Sequence, residues 1–354
     1  MKALIAMSGG VDSSVSALLM KQQGYECIGC TMKLFDKDDL GLEQESSCCS
    51  LSDVEDARSV AHRLDMKYYV FNFCDGFKDQ VIGKFADSYI EGRTPNPCID
   101  CNRYMKFEKL YLRAKELGCD KIVTGHYARI EEKDGKWYLL KGIDETKDQS
   151  YVLYNMTQEL LAHTCFPLGG MPKEEARRIA EENDFINARK KDSQDICFAP
   201  DGDYAKVISK IKDLKSVPGE FRLKDGTVLG THKGIIHYTI GQRKGLGIAY
   251  KEPLYVVKID VLNNVVVLGS NDDLFNRELK ATDVNWISGE VEIGKEMRVT
   301  ARVRYHAKEE PATLRFVSDT EFELCFDEPQ RAITPGQAVV VYDGEIVLGG
   351  GTID

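Results

Sequence analysis

Three cysteines and one glycine-rich string carry the chemistry this sequence is equipped to do. Cys98 and Cys101 form a Cys-x-x-Cys pair within Thr94-Pro95-Asn96-Pro97-Cys98-Ile99-Asp100-Cys101-Asn102-Arg103. Cys197 stands in Asp192-Ser193-Gln194-Asp195-Ile196-Cys197-Phe198. Two thiols at this spacing can share a metal or form a disulfide. The pair reads as lying on a rigid, Pro-rich loop, whose prolines pre-set the backbone and lower the cost of presenting a reactive group. A structural zinc knuckle needs four ligands, and no second Cys-x-x-Cys or spaced His pair follows. The glycine-rich string is Met7-Ser8-Gly9-Gly10-Val11-Asp12-Ser13-Ser14. Two glycines let the backbone turn with its N–H groups directed at one point, and a helix N-terminus with two hydroxyls adds positive potential and donors. Such a site suits pyrophosphate. It lacks the Gly-Lys-Ser/Thr ending of a Walker loop, which fits an enzyme that does not transfer a γ-phosphoryl group.

The elements around these residues alternate. Lys2 to Met7 reads as a short buried strand, Ser13 to Gln23 as a helix closed by Gly24, and Glu26 to Met32 as the next strand. Leu40 to Ser50 reads as a polar loop. Asp53 to Leu64 reads as an amphipathic helix with Ser52 or Asp53 as N-cap. Lys67 to Phe73 and Lys121 to Thr124 read as strands, and Gly76 to Gly92 and Tyr104 to Leu117 as helices. Strands alternating with helices imply a parallel sheet covered on both faces. After about Asp203 the pattern changes. Leu254 to Gly269 reads as a hairpin turning at Asn263-Asn264. From about Asp283 short strands alternate strictly, as in a small β-barrel or sandwich. The expected organisation is an α/β catalytic domain over 1–205, a central β-rich domain over 206–275 and a C-terminal β-barrel over 276–354.

The chain has 354 residues, an apolar fraction of 43% and a formal net charge of −10. That charge argues against indiscriminate nucleic-acid binding, which relies on a broad positive field, and leaves binding through a local basic face open. Arg177, Arg178, Arg189, Lys190 and Lys191 form one such patch, and Arg243 with Lys244 another; each also reads as solvated surface charge. No apolar stretch approaches the roughly 20 residues needed to span a bilayer. The N-terminus leads into a Gly-rich turn rather than a cleavage site, so no membrane association and a cytoplasmic location are expected. An odd count of eleven cysteines argues against a disulfide framework. Cys27, Cys30, Cys74, Cys119, Cys165 and Cys325 read as buried residues in apolar surroundings.

The string SGGVDSS resembles the pyrophosphate loop of the N-type ATP pyrophosphatases. The resemblance implies that ATP, with Mg²⁺, is cleaved between its α- and β-phosphates to adenylate a substrate carbonyl, and that a nucleophile then displaces AMP. ATP would be bound by Ala6, Met7, Ser8, Gly9, Gly10, Val11, Asp12, Ser13, Met32 and Gly125. Asp12 would position magnesium or substrate, and Met32 would lie against the adenine. Beyond this loop, TPNPCIDCNRYMKF, VTGHYARI, KDQSYVLY, KKDSQDICF, KGIIHYTIGQRKGLGI and VRYHAK, in this order along the chain, closely resemble the tRNA-specific 2-thiouridylases, the MnmA/TrmU family.

That resemblance implies a PP-loop fold and, as substrate, the wobble uridine of tRNAs for Lys, Glu and Gln. The sulfur donor would be a cysteine desulfurase or sulfur carrier. Cys197 would carry sulfur as a persulfide, whose terminal sulfur attacks C2 of the adenylated uracil. Cys101 would release it and leave a Cys101–Cys197 disulfide. Asn96, Pro97 and Cys98 would contact the target base, and His126, Lys147, Asp148, Gln149, Arg304, Tyr305 and Gln337 would contact tRNA. Many family members have Asp where this chain has Cys98, which puts the acid–base role at that position in doubt. Cys98, Cys101 and Cys197 are also a ligand set for three irons of a 4Fe-4S cluster, the fourth being open to sulfide. An ammonia-using ligase with the same ATP loop, or a non-catalytic RNA-binding protein, would have no use for the cysteines or for the loop, respectively.

Overall fold

The computed structural model describes residues 1–36, 51–190 and 196–354. The expected loop over Leu40–Ser50 and the stretch Lys191–Asp195 lie outside the described residues. Contacts divide the chain into two compact units. The first holds 1–81, 98–202 and 344–348; the second holds 82–97, 203–343 and 349–354.

The first unit is built on five parallel strands, β1 (Lys2–Ala6), β2 (Glu26–Lys33), β3 (Lys67–Asn72), β4 (Lys121–Val123) and a short strand at Thr164–Cys165. A hairpin, β5 (Ala128–Lys133) and β6 (Lys136–Lys141), lies between β4 and that last strand, β7, in the chain. The sheet order is β3-β2-β1-β4-β7. Ala3, Leu4 and Ile5 of β1 and Ile122 and Val123 of β4 are fully buried, the continuous apolar run of a strand covered on both faces. Strand order reverses at β1, so a crevice opens beyond the carboxyl ends of β1 and β4, where open α/β sheets bind ligands.

The helix Val11–Gln22 follows β1. Its first turns contain three serines that a buried helix would seem ill-suited to hold. Each is satisfied internally, Ser13 and Ser14 donating to Gly10 O at 3.0 and 3.1 Å and Ser16 to Asp12 O at 2.8 Å. Such small residues let the core close tightly, and Ala176 and Ala180 of the helix Lys173–Glu182 and Ala57 and Ala61 of the helix Leu51–Arg63 share it. Each fully buried Val or Leu there contributes about 1.5–3 kcal/mol.

Three expectations change, and one hairpin is new. The helix expected over Tyr104–Leu117 begins at Pro97 and runs as Pro97–Asp100, a π-helical turn Cys101–Lys109 and Leu110–Glu116. Proline at the first helical position explains the early start, so the Cys-x-x-Cys pair lies on a helix and not on a loop. The helix expected over Gly76–Gly92 is broken into Cys74–Phe77, a π-helical turn Lys78–Gly83 and Lys84–Ile90. Ser52 and Asp53 both lie inside the first turn of the helix Leu51–Arg63, so neither is its cap. The β5–β6 hairpin was not expected; it turns at Asp134-Gly135, both at positive φ, the chemistry a tight hairpin requires.

In the second unit, β8 (Gly219–Leu223), β9 (Val228–His232), β10 (Tyr255–Asp260) and β11 (Val265–Gly269) form a sheet in the order β10-β11-β8-β9 around Phe221, Tyr238, Val256, Val266 and Leu268. The expected hairpin is β10–β11, with Asn264 at φ +50 in its turn. The C-terminal alternation builds a closed antiparallel barrel, β12 (Phe275–Trp286), β13 (Glu296–Arg302), β14 (Glu310–Ser318), β15 (Glu321–Arg331), β16 (Ala338–Asp343) and β17 (Ile346–Ile353), in the order β12-β15-β14-β13-β16-β17. Closure comes from β12 against β17, pairing Ala281 with Ile353. It needs Gly349, where a Cβ would stand 2.3 Å from Asn285 O. Inward Phe322, Leu324 and Phe326 alternate with outward residues, which places Cys325 on the exposed face rather than in apolar surroundings. Cys27, Cys30 and Cys119 are buried as expected, and burial pushes the Cys30 thiol well up; Cys74 and Cys165 are half-buried. Among the described residues no helix is long and apolar enough to cross a membrane.

Candidate active site

The glycine-rich string leaves β1 at Ala6, and Met7 N donates to Cys30 O at 2.7 Å, holding the strand's end in the sheet. Gly9 then takes φ +75, and Gly10 precedes the helix without a side-chain cap. Asp53 O stands 2.3 Å from where a Gly9 Cβ would be, so only glycine fits on both counts. Ser8 N donates to Ser13 Oγ at 3.2 Å and Ser8 is exposed. Gly125, just beyond β4, approaches so closely that its Cβ would lie 2.9 Å from the Asp12 carbonyl carbon. The loops after β1 and β4 therefore meet at the switch point. Met32 lies near the end of β2, half-buried.

Asp12 does not stand alone. Lys173 Nζ lies 2.7 Å from both of its carboxylate oxygens, and Tyr127 Oη donates to Oδ1 at 2.8 Å. The Lys173 side chain is 8% exposed and that of Asp12 32%. Both oxygens of Asp12 are thus engaged by a cation of the protein. Lys173 is the residue that sequence reasoning missed. A signal was present: it opens the helix Lys173–Glu182, followed by Glu174 and Glu175, and a helix N-terminus disfavours a cation. A buried lysine there needs another reason.

Two further residues brace the loop. Asn187 Nδ2 donates to Gly9 O and to Ser14 Oγ, both at 2.9 Å. Lys190 Nζ bonds Asp53 at 2.6 Å and Asp56 at 2.7 Å. The basic patch read from the sequence is laced with acids in the same way, Arg178 pairing with Glu175 and Glu182, and Arg189 with Glu181.

The thiols occupy the same unit. Cys98 is exposed; Cys101 and Cys197 are half-buried. Cys98 and Cys101, three apart on a helical run, share one face, and Cys101 opens the π-helical turn, a widening often found at functional sites. Asn102 anchors that turn from within, its Nδ2 donating to Val152 O at 2.8 Å. Phe198, beside Cys197, is 1% exposed and meets Phe77 edge-on at 6.0 Å. The helix Cys74–Phe77 also packs against the Cys101–Lys109 turn, so one short helix is neighbour to both thiol-bearing segments. Among the described residues no three His, Cys, Asp or Glu converge as a metal would require.

Family models match the whole architecture: a tRNA methyl transferase HUP domain over residues 1–201, a tRNA methyl transferase PRC-barrel domain over 209–270 and an aminomethyltransferase β-barrel domain over 276–353. The tRNA-specific 2-thiouridylase MnmA of Clostridioides difficile (strain 630) is 52% identical over 355 residues, covering 100% of this chain and 98% of the relative. That of Clostridium beijerinckii (strain ATCC 51743 / NCIMB 8052) is 50% identical over 353 residues, with the same coverage. The chain belongs to the MnmA family of tRNA-specific 2-thiouridylases. Among solved structures, a 4-thiouridine synthetase–RNA complex with bound ATP matches at 20% identity and TM-score 0.38, over 60% of this chain and 50% of that one.

In this MnmA family member the residues expected at tRNA fall into two classes. Arg304 is exposed and Tyr305 half-buried, in the bend between β13 and β14. Lys147 is half-buried. The others are tied into the fold. Asp148 is 6% exposed and accepts from Gly142 N, Ser150 N and Ser150 Oγ. Gln149 Oε1 accepts from Tyr127 N at 3.0 Å, fixing the residue whose hydroxyl reaches Asp12. His126 is 7% exposed between Phe107 and Phe166, with Nδ1 2.6 Å from Thr124 Oγ1. Burial, with help from Lys106, holds it well below the usual histidine range, so it is neutral at neutral pH. Gln337 Nε2 donates to Thr94 O at 2.7 Å. Lys233, Arg243 and Lys244 of the central domain are exposed.

Proposed function

We propose that the protein is an ATP-dependent tRNA-uridine 2-sulfurtransferase acting on the wobble uridine of tRNAs for Lys, Glu and Gln in the cytoplasm. Identity of 52% across the whole chain to a curated 2-thiouridylase carries the reading, and the site gives it a chemical form. ATP enters with its magnesium, and the loop Ser8–Ser13 receives its phosphates. Lys173, held on Asp12, supplies the fixed positive charge that the loop itself lacks, beside the pyrophosphate that departs. Gly125 lets the loop after β4 close on Asp12, and the C2 oxygen of the uridine is adenylated.

Sulfur arrives from a desulfurase or sulfur carrier as a persulfide on Cys197. Its terminal sulfur attacks C2 and AMP leaves. The Cys101 thiolate then attacks Cys197 Sγ, the S–S bond breaks, 2-thiouridine departs and a Cys101–Cys197 disulfide remains for a two-electron reductant. The common neighbour of the two thiol segments, the helix Cys74–Phe77, supports this route. Asn96 and Pro97 read the base, and Arg304, Tyr305 and Lys147 grip the anticodon arm.

The test is pyrophosphate release and 2-thiouridine formation from ATP, a desulfurase with cysteine, and unmodified tRNA. Release that ignores tRNA, or tRNA that gains no sulfur, would overturn the reading.

A further inference from the structure

The segment that leads into Cys98 belongs to the second unit: Ile82–Pro97 groups with the central domain and the barrel. Its attachments are specific. Thr94 N donates to Pro335 O at 2.8 Å, and Gln337 Nε2 donates to Thr94 O at 2.7 Å. Both backbone polar groups of Thr94 are thereby held by one barrel loop. That loop comes close only because residue 336 is glycine. It takes φ +89, and a Cβ there would lie 2.9 Å from Thr94 N and 3.0 Å from Arg93 Cβ. The loop is itself fixed to β17, Gly336 N donating to Ile353 O and Ile353 N to Gln337 O, each at 2.8 Å. One residue earlier, the Arg93 guanidinium bonds the Asp354 carboxylate. On the other side, Gly92 (φ +71) is approached by Val261 and Ile259 of the central domain.

We propose that the barrel loop of residues 334–337 is a positioning element for the thiolation step, with Gln337 acting on that step through Thr94. One residue, Pro95, separates Thr94 from Asn96, and Pro97 follows it directly, so a fixed-φ proline stiffens the backbone on either side of Asn96. A fixed Thr94 therefore sets where Asn96 and Pro97 present themselves to the base. The barrel then contributes to turnover as well as to affinity. This rests on the reading of Asn96–Cys98 as the base-contacting segment.

The experiment compares Gln337→Leu and Gln337→Glu with Asn96→Ala. Leucine removes the donor, and glutamate sets an acceptor against the Thr94 carbonyl at nearly unchanged size. Measured are tRNA Kd, the single-turnover rate of 2-thiouridine formation at saturating tRNA, and hydrogen exchange of the segment containing the Thr94 amide. Displacement of a positioning group by about 1 Å can cost about 100-fold in rate. A roughly 10–100-fold slower rate is therefore expected in both Gln337 variants, with tRNA Kd within about twofold and Thr94 protection reduced. A tenfold weaker Kd with an unchanged saturated rate would overturn the proposal and make Gln337 a tRNA contact. An unchanged rate with Thr94 protection lost would also overturn it. Asn96→Ala separates the two readings. Full thiolation in that variant sinks the base-contact reading itself; lost thiolation there, beside wild-type rates in the Gln337 variants, sinks the barrel loop alone.

Discussion

Breaking the Asp12–Lys173 pair should separate a structural ion pair from a catalytic cation. At 2.7 Å and an effective dielectric of about 20, the direct attraction is about 6 kcal/mol. Desolvation offsets much of it, and removing one partner of a buried pair costs about 3–5 kcal/mol because a charge is orphaned. Asp12 is about one third open to water, so Lys173→Met should fall at or below the lower end, about 3 kcal/mol. Asp12→Asn strands the more deeply buried lysine. The double variant Asp12→Asn/Lys173→Met removes both charges and should return to within about 1 kcal/mol of the parent. Activity should not return. Losing one fixed donor at a developing charge costs about 10²–10³ in kcat, so tRNA-dependent AMP formation should stay down by at least that factor in Lys173→Met and in the double variant. Urea melts followed by a signal from the first unit give the stabilities, and single-turnover AMP assays the rates. Wild-type AMP formation by a stably folded double variant would refute the assignment and make the pair a scaffold only.

Three further outcomes follow from the same site. Cys101→Ser and Cys197→Ser should each abolish desulfurase-driven thiolation, while Cys98→Ala should retain measurable activity, losing at most the 10²–10⁴-fold that acid–base assistance supplies; iron-dependent, sulfide-driven activity that vanishes in Cys98→Ala would point to the cluster route instead. With a net charge of −10, tRNA binding rests on few cations, so Arg304→Ala should weaken it and lower the salt slope by about one, with ATP binding unchanged in a nucleotide titration. Burial keeps His126 neutral in the folded state; the unfolded chain takes up its proton near pH 6.5, so stability of the first unit should be full above that pH and fall below it, by at most about 1.4 kcal/mol per pH unit. His126→Asn should flatten that slope in melts at pH 5.5 and 7.5.

What the sequence disclosed was local. The pyrophosphate loop is legible because its geometry is written in contiguous residues, and the barrel because inward and outward residues alternate along each strand. Lys173 stays hidden because the partner that explains it, Asp12, is 161 residues away. The early helical start at Pro97 was signalled by proline but hidden by the reading of two prolines as a loop. The Asp134-Gly135 turn carried a hairpin signal that went unassigned. Asp148, Gln149 and Gln337 look alike in sequence to surface polar residues; only their partners show that they hold backbone. Barrel closure by β12 and β17 depends on long-range pairing that no window contains.

The assignment of Ile82–Pro97 to the second unit also dictates an order of assembly. As the chain leaves the ribosome, this segment emerges long before the strands and the barrel loop that hold it. Domains form as units during synthesis, and contacts between distant residues come late because their loop-closure entropy must be met first. The stretch that presents Asn96 therefore waits for the barrel before it acquires its shape, while the nucleotide site, made of the first unit's own residues, needs no such delay. Refolding from denaturant should accordingly recover ATP binding in an earlier phase than protection of the Thr94 amide.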